Sequence, residues 1–229
     1  MLAIKLTPVF DFFLPRLCEH CGDKLTATES ILCDNCFAQL KTASEELIIH
    51  EYERKFSYDK IIDGFYSAFI FTEDSPFQSL IHSLKYNGRF RIGVFIGETA
   101  AGLLKEKIRN WNADLLLPVP LFHLKKAERG YNQSFYIAKG FSKVLNIPVK
   151  NNLIKRARYT ETQTKLNLEE RKENMANAFA IKNAKEIKGK KIILIDDVIT
   201  TGSTVTECGK ILKSHGAQKV YAVSTAIAE

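Results

Sequence analysis

The 229-residue chain has no run of about 18 or more apolar residues, so no segment of it reads as a membrane-spanning helix. Its N-terminal stretch MLAIKLTPVFDFFLPRL is apolar only in patches, broken by Asp11 and Pro15, and no small-residue cleavage site follows. That stretch is expected to stay on the chain as a helix beside the first cysteines rather than to act as a secretory leader. Internal repeats and low-complexity tracts are absent, and a hydrophobic content of 45% excludes an intrinsically disordered chain. No G-x-x-x-x-G-K-[ST] occurs either, so any phosphate site must be built without a P-loop.

What the chain does have is most concentrated at residues 192–204, IILIDDVITTGST. The aliphatic run predicts a buried parallel strand ending at Asp196, with a helix beginning after Thr204. The acidic pair and the small-residue loop would then lie at the carboxyl edge of a sheet, where open α/β folds bind ligands. Thr200, Thr201, Gly202, Ser203 and Thr204 carry no bulky side chain, so their amides can curl around a phosphate at a helix N-terminus, with hydroxyls as further donors. A side chain at Gly202 is expected to occupy the place of the anion. Asp196 and Asp197 would repel that anion unless they face something else, either the vicinal hydroxyls of a sugar or a Mg²⁺ ion through its waters. A sugar phosphate such as ribose 5-phosphate satisfies both halves of the segment.

Elsewhere the pattern is α/β. DGFYSAFIF (63–71) reads as a strand, and Ser75-Pro76 opens an amphipathic helix that ends at Asn87-Gly88. Further helices are expected at 92–109, 132–145, 168–176 and 204–214, and strands over LLLPVP, 147–153, 191–195 and 219–225. Alternation of this kind implies a mostly parallel sheet. The charged stretch from Glu45 to Lys60 reads as a connector.

Cys18, Cys21, Cys33 and Cys36 form two C-x₂-C knuckles that can complete a tetrahedral site for structural Zn²⁺. Disulfides are the competing reading, disfavoured without a secretory signal because the cytoplasm is reducing. Residues 1–45 are therefore expected to form a Cys₄ module that folds only with its metal, and 46–229 a larger domain that survives its loss. His20 reads as an exposed knuckle residue, His82 as a half-buried packing histidine and Cys208 as a small buried residue without chemistry. The net charge of +7 favours polyanionic partners, whether pyrophosphate-bearing substrates or nucleic acid.

The 192–204 segment resembles the signature of the type I phosphoribosyltransferases. With LLLPVPL, KKAERGYNQS (125–134), RARYTETQTKLNLEERKENMANAFAI (156–181) and the cysteine pairs, nearly the whole chain resembles the ComF family, known as competence protein F. The resemblance implies a type I phosphoribosyltransferase fold that binds phosphoribosyl pyrophosphate (PRPP) with Mg²⁺. Asp196 and Asp197 would take the ribose hydroxyls, the 200–204 loop the 5-phosphate, and Lys125, Lys126 and Arg129 the pyrophosphate. Lys85 would stand at the substrate mouth. Arg158, Thr162, Gln163, Lys165, Arg171 and Asn174 would belong to a lid segment or its anchor, which closes over the ligand to exclude water. Purine-salvage relatives carry an aspartate where this chain has Thr200, so a purine acceptor is disfavoured and the acceptor stays open. The family name further implies a role in DNA uptake, through single-stranded DNA or a competence helicase as partner.

Overall fold

A computed structural model describes residues 15–121, 127–156 and 179–228. The first elements are a one-turn helix α1 (Asp34–Ala38) in the second cysteine knuckle and a three-turn helix α2 (Glu45–Phe56). Helix α2 replaces the expected connector. Ser44 caps it by accepting from the Leu47 amide, Glu45 and Glu46 lie in its first turn, and Arg54 and Lys55 in its last, so both ends complement the helix dipole. Ile48, Glu51 and Phe56 are its buried residues.

Four parallel strands make the sheet: β1 (Gly64–Phe71), β2 (Leu115–Pro118), β5 (Lys191–Ile199) and β6 (Lys219–Ala228), in the order β1-β6-β5-β2. A short antiparallel pair, β3 (Ile154–Arg156) with β4 (Phe179–Ile181), lies outside it. The expected strand at 147–153 is reduced to one parallel bridge, Val149 to Leu116. Its neighbour Pro148 has no amide to extend the ladder, although the Pro148 carbonyl does accept from Leu116. β5 also runs further than expected, to Ile199, because β6 extends to Ala228 and gives Val198 and Ile199 the partners Ala226 and Ile227.

Helices α3 (Pro76–Tyr86) and α4 (Phe90–Arg109) connect β1 to β2, α5 (Gln133–Leu145) follows β2, and α6 (Ser203–Ser214) joins β5 to β6. Ser75 accepts from the Gln78 amide with Pro76 at the first position of α3, the start the sequence announces. His82 is exposed, correcting the packing role: Leu80, Ile81 and Leu84 take the buried side of α3, and His82 instead lies beside the Tyr86 ring at 4.9 Å. Cys208 is fully buried in α6, as expected. Helices α4 and α5 cross at glycines, since a Cβ on Gly140 would fall 2.6 Å from the Glu98 amide and one on Gly97 would meet the Ile137 carbonyl.

The chain leaves β5 through α6 toward β6 on one side, and leaves β2 toward the Val149 bridge on the other. The carboxyl ends of β2 and β5 therefore flank a topological switch point, which opens a crevice between them. The cysteine knuckles pack against the same fold. Cys18, Leu25, Leu32, Cys33 and Cys36 belong to one buried cluster with Phe69, Phe77 and Leu80, so the hydrophobic core runs continuously across residue 45. His20 is exposed, as expected, with Nδ1 2.9 Å from Ser79 Oγ, and Glu19 pairs with Arg89.

Candidate functional site

One hollow of about 50 Å³ opens at the crevice, lined by Asp196, Val198 and residues 199–205. It has room for a few water molecules or a group of similar size. The buried aliphatic run of β5 carries Asp196 and Asp197 to this edge, and the chain then turns through Thr200 and Thr201 into Gly202, the N-cap of α6. No side chain caps α6, and no hydrogen bond among the described residues takes up the amides of Thr200, Thr201 or Gly202. Those donors, together with the positive end of the helix dipole, suit a compact anion. Thr201 Oγ1 and Ser203 Oγ lie 3.0 Å apart across the loop, and the Ser203 amide donates to the former.

Gly202 has φ +77°, a left-handed conformation that side chains disfavour. A Cβ there would lie 2.7 Å from Phe56 Cε1 and 3.4 Å from Lys55 Cβ. The expectation for position 202 is thereby corrected: an added side chain meets the end of α2 on which the loop rests, not the place of an anion.

The two acids are held differently. Asp196 Oδ1 accepts from the Ser134 hydroxyl at 3.0 Å and from the Asp197 amide at 2.9 Å. Asp197 Oδ1 accepts from the Val198 amide at 2.7 Å, and its Oδ2 pairs with Lys85 Nζ at 3.1 Å. Burial, and then the charge of Asp197 beside it, push the Asp196 carboxyl up to about 7, against the Asp197 amide, Ser134 and Lys85, which pull it down. A carboxylate pair this poorly compensated suits the hydroxyls of a sugar or a hydrated divalent cation.

Helix α5 closes the β2 side. Asn132 caps it by accepting from the Ser134 amide, and donates to the Val119 carbonyl at 2.9 Å, tying the helix start to the end of β2. Arg129 stands on the same rim, its guanidinium 5.6 Å from the Tyr86 ring centre. With its amide oxygen turned toward that guanidinium, Gln133 accepts from Arg129 Nη1 at 2.8 Å.

Of the residues singled out from the sequence, Asp196, Asp197, Thr200, Thr201, Gly202, Ser203 and Thr204 therefore come together. Lys85 joins them through Asp197, and Arg129 joins from the rim. Lys125 and Lys126, and the segment with Arg158, Thr162, Gln163, Lys165, Arg171 and Asn174, lie outside the described residues. The sequence reading missed Ser134, although it ends the RGYNQS motif, and also Lys55 and Phe56 beneath the loop.

The four cysteine sulfurs lie within 4.8 Å of one another, and Cys21 Sγ is 3.7 Å from Cys33 Sγ. An edge of about 3.8 Å is what four sulfurs at zinc–thiolate distance around one ion require. Burial would raise the Cys18 thiol, but the amides of Cys33, Cys21 and His20 outweigh it and hold the group at about 6. Burial and the neighbouring thiols push Cys36 up. Four thiols that cannot all ionise alone can do so around a divalent cation, and the cluster can bind a structural metal such as zinc.

Among known proteins, a family model described as "Phosphoribosyl transferase domain" matches residues 131–227. The chain is 32% identical over 233 residues to "Competence protein F" of Haemophilus influenzae, with 93% of this chain and 96% of that protein covered. It is 29% identical over 211 residues to "DNA utilization protein YhgH" of Shigella flexneri, with 89% and 81% covered. A solved purine phosphoribosyltransferase from Pyrococcus horikoshii aligns at TM-score 0.38 and 20% identity, covering 58% of this chain and 74% of that one.

The raised Asp196 carboxyl makes stability fall with pH. The folded chain keeps a proton that the unfolded chain releases near the ordinary value of 3.8, so stability is lost as pH rises from there through about 7. Asp196→Asn removes that loss. The variant should melt at a higher temperature than the parent at pH 8 and converge with it as pH falls below the ordinary carboxylate range; a melting series with no such convergence contradicts the burial argument.

Proposed function

The chain belongs to the competence protein F family, and on that premise we propose that it is a PRPP-binding, Mg²⁺-dependent phosphoribosyltransferase-like protein. One observation carries this reading: Asp196, the first of two adjacent carboxylates, and an uncapped helix N-terminus line the same small hollow at the switch point of a parallel sheet. A ligand with hydroxyls at one end and a phosphate at the other satisfies both. In this reading Asp196 and Asp197 accept the ribose hydroxyls, and the 200–204 loop binds the 5-phosphate with its amides. The same acidic pair could hold a Mg²⁺ ion through its waters, and such an ion would supply charge stabilisation to the leaving group. Arg129, with Lys125 and Lys126, would take the leaving pyrophosphate, where negative charge builds. Lys85 neutralises Asp197 and stands ready to contact the ligand.

Thr200 occupies the position where the resemblance puts the purine-handling aspartate of salvage enzymes, which argues against a purine acceptor. We place the protein in the cytoplasm, with Zn²⁺ on Cys18, Cys21, Cys33 and Cys36. No helix among the described residues is long and apolar enough to cross a membrane.

A second reading, a DNA-handling accessory that retains the PRPP site, draws on a different observation. The rings of Phe90 and Tyr136 lie 4.9 Å apart between α4 and α5, the exposed Tyr86 ends α3 with Arg129 over its ring, and Lys139 lies near Tyr136 and Phe135. Rings interleaved with cations suit the stacked bases and phosphates of a single strand. A role in DNA uptake, with a helicase as partner, is compatible with either reading, and the relatives named for competence and DNA utilization support it.

Calorimetric titration with PRPP, with and without Mg²⁺, tests the first reading. Gly202→Val should abolish binding of PRPP and ribose 5-phosphate together, because the side chain lifts the loop off Phe56. Thr204→Ala should cost only about 1 kcal/mol, the worth of one hydroxyl donor. A folded valine variant that binds PRPP like the parent would place the anion elsewhere.

For the second reading, retardation of single-stranded oligonucleotides should weaken steeply as salt rises. Tyr86→Ala with Lys139→Ala should weaken it further while leaving ribose 5-phosphate binding intact. A response flat in salt removes direct DNA binding.

The metal module makes its own prediction. Protein purified under reducing conditions should carry about one equivalent of zinc, lost in Cys33→Ser. The core shared with Phe77 and Leu80 argues that this loss also lowers the melting temperature of the whole chain. Metal analysis that finds no zinc would refute the assignment.

A further inference from the structure

Beneath the phosphate loop lies a buried charge cluster that the phosphoribosyl reading leaves unused. Glu51 accepts from Arg54 through both oxygens, at 3.0 and 2.7 Å, and its Oε2 also pairs with Lys55 Nζ at 2.5 Å. His50 Nδ1 lies 3.4 Å from the other oxygen. Burial would raise the Glu51 carboxyl, yet its two cations hold it at about 2. Arg54 is half exposed, whereas the Lys55 side chain is only 2% exposed.

Arg54 and Lys55 share the one Glu51 carboxylate, so the cluster keeps a net positive charge, and of its two cations Lys55 is the one shut off from water. Such a charge is costly to hold unless an anion completes it. Among the described residues no second carboxylate pairs with it. Its remaining neighbour is the Ile199 carbonyl at 3.5 Å, one residue before Thr200 and part of the wall of the hollow. The stem of Lys55 runs under Gly202, at 3.4 Å from where a Cβ would stand.

We propose that Lys55 is a positioning residue of the anion site, a fixed positive charge behind the 200–204 loop that matches it to the dianion of a phosphate monoester. The ammonium engages the Ile199 carbonyl, an oxygen that would otherwise repel an anion at the rim, and leaves the loop amides to face outward. Glu51 fixes the ammonium in place. The charge belongs to an element outside the Asp-Asp-loop segment, which is why the motif does not contain it. This inference rests on the loop being the 5-phosphate site.

Lys55→Met and the double variant Lys55→Met with Glu51→Gln separate a role toward the ligand from mere neutralisation of Glu51. Binding of ribose 5-phosphate and of Mg²⁺-pyrophosphate, which has no 5-phosphate, is measured by calorimetry for the parent and both variants. Both variants should bind ribose 5-phosphate about tenfold more weakly, through the loss of the fixed charge behind the loop. Pyrophosphate affinity should be unchanged, and the double variant should regain the melting temperature that the single one loses. Full recovery of ribose 5-phosphate binding in the double variant would show that Lys55 serves only Glu51 and would overturn the proposal. A parallel loss of pyrophosphate binding would overturn it too, as general collapse of the site. A parent that binds pyrophosphate but not ribose 5-phosphate would instead refute the phosphate-loop reading on which the proposal stands.

Discussion

Two carboxylates on consecutive residues, at the end of a strand buried on both faces, repel each other and lose hydration together. The rest of the site is arranged around that constraint. Ser134 and the Asp197 amide support one oxygen of Asp196, Lys85 balances Asp197, and the Thr225 hydroxyl donates to the Asp197 carbonyl at 2.6 Å. These contacts come from α5, α3 and β6, so three separate stretches of chain converge on two residues. Compensation nevertheless stays incomplete at Asp196. An amide there would avoid that cost, and the unrelieved charge is what the proposed ligand role of Asp196 would explain.

Much of this was legible in the sequence because the signals were local. Aliphatic runs gave β2, β5 and β6; Ser75-Pro76 and Asn87-Gly88 bracketed α3; and the two acids followed by small hydroxyl residues marked the ligand edge. Illegible features depended on a partner remote in sequence. β5 outlasts its predicted end because β6 supplies the ladder, and the strand expected around Val149 fails to develop beside Pro148. Ser134 gains its importance only when α5 is set against β5, 62 residues away along the chain. Helix α2 was an avoidable omission. Ile48, Tyr52 and Phe56 recur every fourth residue behind a Ser44 cap, but the density of charge disguised the apolar stripe as a solvated connector.

Helix α3 belongs to two neighbourhoods at once. Its first turns, through Phe77, Ser79 and Leu80, pack against the cysteine knuckles, while its last turn carries Lys85 to Asp197 and Tyr86 to Arg129. Between these ends the helix is buried along Ile81, Ser83 and Leu84, leaving it little room to tilt. The knuckles and the acidic pair thus share one rigid spacer. The crossing of α4 and α5 at Gly97 and Gly140 supports the same arrangement from behind, since it lets α5 lie close enough to bring Ser134 to β5.

The seat of Gly202 on Phe56 bears on how this chain can be dissected. Strand pairing alone suggests a minimal folding unit beginning near Gly64, and the matched family segment begins later still, at residue 131. Either cut would remove α2. With it would go Phe56, whose ring fills the space under the turn into α6 and packs between Tyr52 and Phe65. A fragment trimmed to the sheet would retain every residue of the Asp-Asp-loop motif and lose the surface that shapes it. The smallest piece able to keep the shape of that loop therefore starts no later than Ser44, well upstream of the first strand.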